Sequence, residues 1–301
     1  MQNPPSLVRD VLAPAKINLC LHVLGRRQDG FHDLQSLVVF AGLGDRLRIN
    51  IDQGKTSDSL VIDGPFSRDL SGEKDNLVLK ALHAMKRRWP GLVPGPLRIC
   101  LQKNLPVASG IGGGSADAAA MLRILAEEFV PEIEQERLHE IALLLGSDIP
   151  ACLSEKPLIM SGRGESLTLL ENFPSLFAVL ANPGISVSTG RVFAGLKSRN
   201  TPPLKELPSD LSGPLQLVEW LRQTRNDLQR EAIALVPGIG ELIGEFEKNP
   251  DCMLARMSGS GATVFALFED LERARAGAKR IRARWPGYWV QPTILSGSGR
   301  G

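Results

Sequence analysis

Residues 106–121 read PVASGIGGGSADAAAM, with four glycines in five positions followed by a serine and a run of alanines. Glycine costs roughly 0.5–1 kcal/mol relative to alanine inside a helix or strand, so this grouping needs a reason. A glycine run that leads into a helix lets an anion reach the backbone N–H groups, and the helix dipole then favours the anion. A tight turn between a strand and a closely packed helix is the simpler alternative, and the loop alone fits both.

The glycine loop matches neither of two common phosphate-binding patterns. A P-loop has the pattern GxxxxGK[ST], and no lysine follows these glycines. The dinucleotide fingerprint has the pattern GxGxxG, and Ser115 stands where the last glycine would be. The loop is therefore a candidate phosphate site of another kind, and its assignment depends on the rest of the chain.

The composition is that of a globular protein with enough apolar material for a core. Hydrophobic residues make up 43% and charged residues 23% of the 301 residues, which suits one large or two ordinary domains. A formal net charge of +2 and 5% aromatic residues do not favour a nucleic-acid partner. The four cysteines form no CxxC pair, and no stretch reaches the roughly 18–20 apolar residues of a membrane span. Without a signal-peptide pattern, we expect a cytoplasmic protein with reduced thiols and no membrane association.

Hydrophobic periodicity predicts an α+β fold. In residues 45–51, for example, Leu47 and Ile49 would face a core while Arg46 and Arg48 face solvent. Strand patterns occupy residues 16–23, 34–40, 45–51, 96–106, 175–184, 287–295 and, around a glycine turn, 251–268. Helical patterns occupy residues 74–89, 115–129, 132–145, 188–196, 217–235, 238–248 and 271–285. Residues 197–216 contain four prolines and are predicted to form a long irregular loop.

Two further stretches decide between the alternatives for the glycine loop. They are APAKINLCLHVLGRRQDGFHDLQSL at residues 13–37 and MSGSGATVFALF at residues 257–268. With the loop between them, they resemble the three signature motifs of the GHMP kinase superfamily. Within it, the chain is similar to the family that phosphorylates a cytidine diphosphate sugar alcohol, 4-diphosphocytidyl-2-C-methyl-D-erythritol. Its pieces PAKINL, DGFH, DNLVLKA, GGGSADAA, GSDIP, GRGE, NPG, NDL and SGSGATVF occur in order over residues 13–268.

This resemblance implies an α+β, two-domain GHMP kinase fold. Residues 1–155 would form an N-terminal ATP-binding domain that resembles the second domain of ribosomal protein S-five. Residues 156–301 would form a C-terminal substrate domain, a ferredoxin-like α/β sandwich. The partner implied is a small molecule, with no nucleic acid and no membrane, and no oligomeric state is assigned.

The resemblance also implies the reaction. The enzyme would transfer the γ-phosphoryl group of ATP, with Mg²⁺, to the 2-hydroxyl of the acceptor in the non-mevalonate route to isoprenoids. Asp148, in GSDIP, would orient or deprotonate that hydroxyl, and Lys16, in PAKINL, would stabilise charge. Apart from the family, Asp148 would be interpreted as a helix-flanking cap and Lys16 as a charge at a strand edge.

The nucleotide would lie along the glycine loop, with two side chains beside the adenine. The residues implied are Pro106, Gly110, Gly112, Gly113, Gly114, Ser115, Asn76 and Lys103. Ser115 would be the residue that contacts Mg²⁺, although hydroxyls at helix starts are usually caps. Apart from the family, Asn76 would be a helix-start residue and Lys103 a solvated lysine.

The acceptor site would be built around DGFH. Phe31 and His32 would sandwich and read the cytosine ring, and Asn18 would hold the methylerythritol hydroxyls. The family often has tyrosine where Phe31 stands, so the stacking face persists without its hydroxyl. The other residues implied are Thr189, Gly259, Ser260 and Gly261, although the two glycines also suit a plain hairpin turn.

Two alternatives stay open at this stage. Another GHMP small-molecule kinase, such as a homoserine or mevalonate kinase, would share the phosphate loop, but DGFH and GSDIP match the cytidyl-substrate family in particular. An inactive nucleotide-binding paralogue would be expected to lack Lys16 or Asp148, and both residues are present.

Overall fold

Two long strands, β1 (Val8–Arg26) and β2 (His32–Ile51), open the fold. The computed structural model describes residues 8–52, 54–70, 75–196, 201–208 and 213–296, and these fall into two compact units. Unit 1 comprises residues 8–15, Leu43–Val107 and Gly113–Ser154; unit 2 comprises Lys16–Gly42, Ala108–Gly112 and residues 155–296. Both long strands therefore supply residues to each unit, and the domain division after residue 155 stays a prediction.

Unit 1 combines a sheet with helices. Strand β4 (Leu97–Gln102) pairs antiparallel with residues 46–51 of β2 and parallel with β3 (Ser59–Asp63). Its helices are α1 (Leu77–Arg88), α2 (Gly113–Phe129), α3 (Gln135–Leu145) and α4 (Ile149–Ser154). The predicted alternation in β2 is confirmed, because Leu47 and Ile49 are fully buried while Arg46 and Arg48 are exposed.

The alanine run that follows the glycine loop lies in α2 and is packed against other helices. Ala118, Ala119 and Ala120 are completely buried in α2, which contacts both α1 and α4. Small side chains let a helix approach its neighbours closely, so the alanines serve packing. The helix begins at Gly113, two residues before the predicted start at Ser115, so two of the loop glycines belong to its first turn.

Unit 2 is an antiparallel sheet covered by helices. Its strand order is β2, β10 (Trp289–Ser296), β7 (Leu176–Asn182), β9 (Val264–Phe268) and β8 (Leu254–Met257). Strand β5 (Leu158–Gly162) pairs with residues 34–38 of β2 and with β6 (Ser166–Leu169). The helices are α5 (Thr189–Gly195), α6 (Pro214–Arg222), α7 (Gln229–Leu235), α8 (Gly238–Glu247) and α9 (Leu271–Arg284).

The single helix predicted over residues 217–235 is wrong. Helix α6 ends at Arg222 and α7 begins at Gln229, because the chain between them turns aside to pair with β1. The backbone nitrogen of Leu21 donates to the carbonyl oxygen of Arg225 at 2.9 Å, and that of Asp227 donates to the carbonyl of Leu21 at 2.9 Å. Residues 222–227 read RQTRND and are all polar, so the apolar pattern is interrupted at the break and resumes at Leu228. Of residues 197–216, the structure describes 201–208, which have no helix or strand, and 213–216, where α6 begins.

Candidate active site

The loop between β4 and α2 holds its backbone in an unusual conformation. Ala108, Gly110 and Gly112 have φ angles of +50°, +76° and +65°, in the left-handed region that suits glycine. A Cβ atom built on Gly110 would lie 2.5 Å from the carbonyl oxygen of Ser258 and 2.6 Å from the backbone nitrogen of Gly261. Because neither neighbour is the end of a flexible side chain, only glycine fits at position 110.

The turn at residues 258–262, between β8 and β9, meets this loop backbone to backbone. Gly259 has a φ of +53°, and a Cβ atom there would lie 2.6 Å from the carbonyl oxygen of Gly110. Gly261 has a φ of +85°, and a Cβ atom there would lie 2.6 Å from the sulfur of Met257. The predicted glycine turn between two strands is confirmed, and its contact with a substrate stays a prediction.

Two serine hydroxyls fix the 258–262 turn. The Ser258 hydroxyl accepts a hydrogen bond from the backbone nitrogen of Asn18 at 3.0 Å and donates one to the carbonyl oxygen of Gly110 at 3.0 Å. The hydroxyl oxygen of Ser260 lies 2.8 Å from that of Thr189, the first residue of α5. The structure thus brings together Asn18, Thr189 and Ser260, three of the residues predicted for the acceptor site.

Strand β1 places Lys16 and Asn18 beside the glycine loop. The backbone nitrogen of Lys16 donates to the carbonyl oxygen of Ile111 at 2.9 Å, and a Cβ atom on Gly112 would lie 3.2 Å from the Lys16 Cβ. Lys16 is only 3% exposed, so it is not the strand-edge charge of the simpler interpretation. The Asn18 amide nitrogen donates to the Ser36 hydroxyl at 2.7 Å, while its buried Oδ1 accepts no hydrogen bond from the described residues.

Two aromatic contacts occur at DGFH. The ring of His32 stacks on that of Phe193, in α5, with centroids 4.7 Å apart. The side chain of Phe31 is half exposed, and the guanidinium carbon of Arg163 lies 5.3 Å from its ring centroid. Phe31 and His32 therefore have different ring partners within unit 2, and their joint contact with a cytosine stays a prediction.

The first turn of α2 is suited to an anion. It carries no acidic residue, Gly114 is exposed, and Ser115 is half-buried near the start of the helix. Asn76 is buried and caps α1, since its side-chain oxygen accepts from the backbone nitrogen of Val78 at 2.9 Å. The helix-start interpretation of Asn76 is confirmed, and its contact with adenine stays a prediction.

A buried ion cluster lies directly beneath the start of α2. The Lys103 ammonium contacts the carboxylates of Asp45 and Asp117, the latter at 2.7 Å. All three residues are at most 3% exposed, so the interpretation of Lys103 as a solvated lysine is wrong. A Cβ atom on Gly113 would lie 3.4 Å from the nearer oxygen of Asp45 and 3.6 Å from the Lys103 nitrogen. A contact between Lys103 and a nucleotide stays a prediction.

Burial governs the titration of this cluster. It raises the pKa of the Asp117 carboxyl to about 7, with the Lys103 charge opposing the rise and the Asp45 charge adding to it. Burial alone would lower the pKa of Lys103, but the carboxylates of Asp117 and Asp45 outweigh it and hold that pKa above its ordinary value. Lys103 therefore stays charged, and Asp117 is the carboxyl whose pKa burial raises toward neutrality.

Asp148 occupies the short connection between α3 and α4. Its carbonyl oxygen accepts from the backbone nitrogen of Cys152 at 3.1 Å, and the residue is half-buried. Its helix-flanking position is therefore as predicted. Asp148 belongs to unit 1, as does the buried Pro106, whereas Lys16 belongs to unit 2. The joint action of Lys16 and Asp148 stays a prediction.

Several residues at the site had no assigned role in the sequence. They are Asn226, Ser258, Phe193, Asp45 and Asp117. A signal existed for three of them, since Asn226 lies in NDL, Ser258 in SGSGATVF and Asp117 in GGGSADAA. Phe193 and Asp45 carry no local signal, because their partners are set by the fold.

Comparison with known proteins identifies the family. The models described as GHMP kinases N terminal domain and GHMP kinases C terminal match residues 76–156 and 205–287. A 4-diphosphocytidyl-2-C-methyl-D-erythritol kinase of Chelativorans sp. is 44% identical over 284 residues, covering 94% of this chain and 95% of that protein. The one from Cereibacter sphaeroides is 47% identical over 294 residues, covering 96% and 99%. The chain belongs to the 4-diphosphocytidyl-2-C-methyl-D-erythritol kinase family of the GHMP kinases.

A solved structure agrees with this family. The crystal structure of a 4-(cytidine 5'-diphospho)-2C-methyl-D-erythritol kinase superposes with a TM-score of 0.75 at 31% identity, covering 96% of this chain and 100% of that one. The predicted α+β GHMP kinase fold is therefore confirmed. As a GHMP kinase, the chain is an ATP-dependent small-molecule kinase.

Two features are absent from the residues that the structure describes. No helix formed by them is at once long and apolar enough to cross a membrane. Within the same residues, no three His, Cys, Asp or Glu side chains converge on a point where they could hold a metal ion.

Proposed function

We propose that this GHMP kinase transfers the γ-phosphoryl group of ATP to the 2-hydroxyl of 4-diphosphocytidyl-2-C-methyl-D-erythritol, in the non-mevalonate route to isoprenoid precursors. The observation that carries the proposal is the similarity to proteins named as kinases of this compound. Two of them are 44% and 47% identical to this chain, in alignments that cover 94% and 96% of it.

The start of α2 supports a phosphate site. Its first turn is free of acidic residues and lacks side chains at Gly113 and Gly114, so the N–H groups that no helical carbonyl satisfies are open to an anion. Mg²⁺ prefers oxygen ligands and usually binds through one or two protein groups and the substrate phosphates. Ser115 is the protein group that would approach it, and the bound ion would neutralise charge on the phosphates.

Three features of unit 2 support the acceptor site. The exposed Phe31 ring offers a face on which a pyrimidine can stack, and Phe193 fixes the orientation of His32 by stacking on it. The buried Oδ1 of Asn18 lacks a donor among the described residues. A substrate hydroxyl would supply that donor, and an unsatisfied buried polar atom otherwise costs about 1–3 kcal/mol.

Phosphoryl transfer requires that the acceptor oxygen be aligned with the γ-phosphorus and that the charge on the transferring group be neutralised. The acceptor oxygen would attack the γ-phosphorus, the bond from that phosphorus to the bridging oxygen of ADP would break, and ADP would leave. The Asp148 carboxylate would take the proton of the acceptor hydroxyl, and the Lys16 ammonium would stabilise the charge on the transferring group. Burial of Lys16 supports this role, since charge interactions strengthen where water is excluded.

The test is ADP release from ATP and Mg²⁺ with 4-diphosphocytidyl-2-C-methyl-D-erythritol as acceptor and homoserine and mevalonate as controls. We expect turnover with the cytidyl acceptor alone. Asp148→Asn keeps the shape of the side chain and removes the base, so kcat should fall about 10²–10⁴-fold with little change in KM. Turnover with homoserine or mevalonate instead would contradict the acceptor. No turnover despite ATP binding would indicate an inactive paralogue.

A further inference from the structure

The NDL motif at residues 226–228 has no part in the function proposed above, yet its asparagine is fully engaged. Asn226 is buried in the bend between α6 and α7. Its amide nitrogen donates to the carbonyl oxygens of Met257 and Gly259, both at 2.8 Å, and its Oδ1 accepts from the backbone nitrogen of Leu228 at 3.0 Å. One side chain therefore holds two carbonyls on either side of Ser258.

The bend that carries Asn226 is itself fixed to β1. Leu21 exchanges backbone hydrogen bonds with Arg225 and Asp227, both at 2.9 Å, and the Asp227 carboxylate accepts from the backbone nitrogen of Val23 at 2.8 Å. Asn226 thus sits on a segment registered to the strand that also carries Lys16. A side chain used only to start α7 would need its Oδ1 alone, so the two donations across the turn call for another explanation.

The turn that Asn226 holds bears directly on the glycine loop. Gly259 approaches the Gly110 carbonyl so closely that a Cβ atom on it would lie 2.6 Å away, and the Ser258 hydroxyl donates to the same carbonyl at 3.0 Å. Interiors packed this tightly transmit a shift from one segment to the next. A displacement of the Gly259 carbonyl would therefore move Gly110.

We propose that Asn226 is a positioning residue for phosphoryl transfer, because its amide fixes the 258–262 turn against β1 and, through that turn, sets the position of the glycine loop. The inference rests on the proposed function, in which the glycine loop leads into the phosphate site at the start of α2. Asn226 acts through Gly259 and Gly110 and need not touch either substrate. Misplacement of reacting groups by about 1 Å can lower a rate by about 10²-fold, so loss of this amide should be visible in kinetics.

Asn226→Asp is the informative substitution. It preserves the shape of the side chain and the acceptor for Leu228, but it replaces the two donated hydrogen bonds with an oxygen that faces the Met257 and Gly259 carbonyls. Asn249→Asp is the matched control, since the Asn249 Oδ1 accepts from the backbone nitrogen of Asp251 at 3.1 Å and the amide holds no turn of the site. Asn226→Ala removes the hydrogen bonds without adding charge and serves if the aspartate variant does not fold.

The experiment combines amide hydrogen exchange with kinetics on the full chain. In Asn226→Asp we expect exchange of the Ser258 and Gly261 amides to rise at least tenfold, with no such change in Asn249→Asp. The kcat/KM for the cytidyl acceptor should fall at least tenfold, with a change in KM for ATP. A merely structural role would lower the amount of folded enzyme, and so the apparent kcat, without altering KM or giving exchange confined to this turn.

Each other outcome overturns the inference. Exchange in the turn equal to that of the wild type, or faster exchange with wild-type kcat/KM, would mean that Asn226 does not position the site. Failure of both Asn226 variants to fold would make it a residue of the core only. If the wild type is inactive with the cytidyl acceptor, the proposed function fails separately, and ADP affinity becomes the readout. Asn226→Asp should then weaken ADP binding at least fivefold, and an unchanged affinity would overturn the positioning role.

Discussion

The buried cluster of Asp45, Lys103 and Asp117 makes the stability of the protein depend on pH in a predictable direction. The carboxyl of Asp117 has a pKa of 3.8 in its ordinary state and about 7 in the fold. Because its pKa is raised on folding, the folded state holds a proton that the unfolded state has released between about pH 4 and pH 7. The contribution of Asp117 to the free energy of unfolding therefore falls as the pH rises through that window.

The size of the effect follows from proton linkage. One proton of difference changes the free energy of unfolding by about 1.4 kcal/mol per pH unit. Between pH 5 and pH 7 the difference in bound protons falls from nearly one to about half. The contribution of Asp117 to the free energy of unfolding should therefore fall by about 2 kcal/mol. In Asp117→Asn this loss disappears, because an amide does not titrate.

The assay is urea unfolding of the wild type and Asp117→Asn at pH 5, 6 and 7 and constant ionic strength, followed by fluorescence and circular dichroism. The free energy of unfolding of the variant minus that of the wild type should rise by about 2 kcal/mol from pH 5 to pH 7, since groups that do not contact Asp117 cancel in the difference. Asp75→Asn is the control, because Asp75 pairs with Lys80 with 79% of its side chain exposed. Its difference should stay flat. A flat difference for Asp117→Asn would refute the raised pKa, and a falling one would mean that the Lys103 charge lowers it.

Substitution by alanine should lower the stability of the protein at Gly110 and raise it at Gly114. Gly110→Ala places a Cβ atom 2.5 Å from the Ser258 carbonyl oxygen, so we expect a lower melting temperature and at least a hundredfold lower kcat/KM for ATP. Gly91→Ala is the control for backbone strain, because Gly91 has a similar φ of +82° and a Cβ atom there would meet nothing within 4 Å. Equal effects of the two changes would contradict the contact between loop and turn. Gly114→Ala meets nothing nearer than 3.7 Å and should raise stability by up to about 1 kcal/mol while raising KM for ATP at least tenfold. An unchanged KM would remove Gly114 from the phosphate site.

The sequence predicted most of the regular elements and the family, because both depend on local patterns. The two strands predicted at 34–40 and 45–51 are parts of one continuous strand, β2, so their separation was wrong. Helical spacing located α1, α3 and α9 within three residues of their observed ends. The short strands β3, β5 and β6 were missed, since four or five residues hold too little periodicity to stand out. The break between α6 and α7 coincides with the all-polar residues 222–227, but nothing there marks the pairing with β1.

The site was predictable where a motif marks it and obscure where distant residues meet. Lys103 contacts Asp45, 58 residues before it, and Asp117, 14 residues after it, and nothing in the sequence around any of them announces the others. Asn226 could have been noticed within NDL, but its two carbonyl partners lie 31 and 33 residues further along the chain. Motifs therefore point to a residue's importance, and only the fold gives its partners.

The glycines at residues 110–114 fall into two physical classes. The difference between the classes bears on the choice between a tight turn and a phosphate site. Gly110 and Gly112 have positive φ angles and press on backbone or on Lys16, so the fold alone requires them. Gly113 and Gly114 start a helix without positive φ and would meet no atom nearer than 3.4 Å if they carried a Cβ. Alanine there would favour the helix by up to about 1 kcal/mol each, so neither the turn nor the packing explains them. The proposed phosphate site would account for them, because a phosphate at the positive end of α2 needs bare backbone.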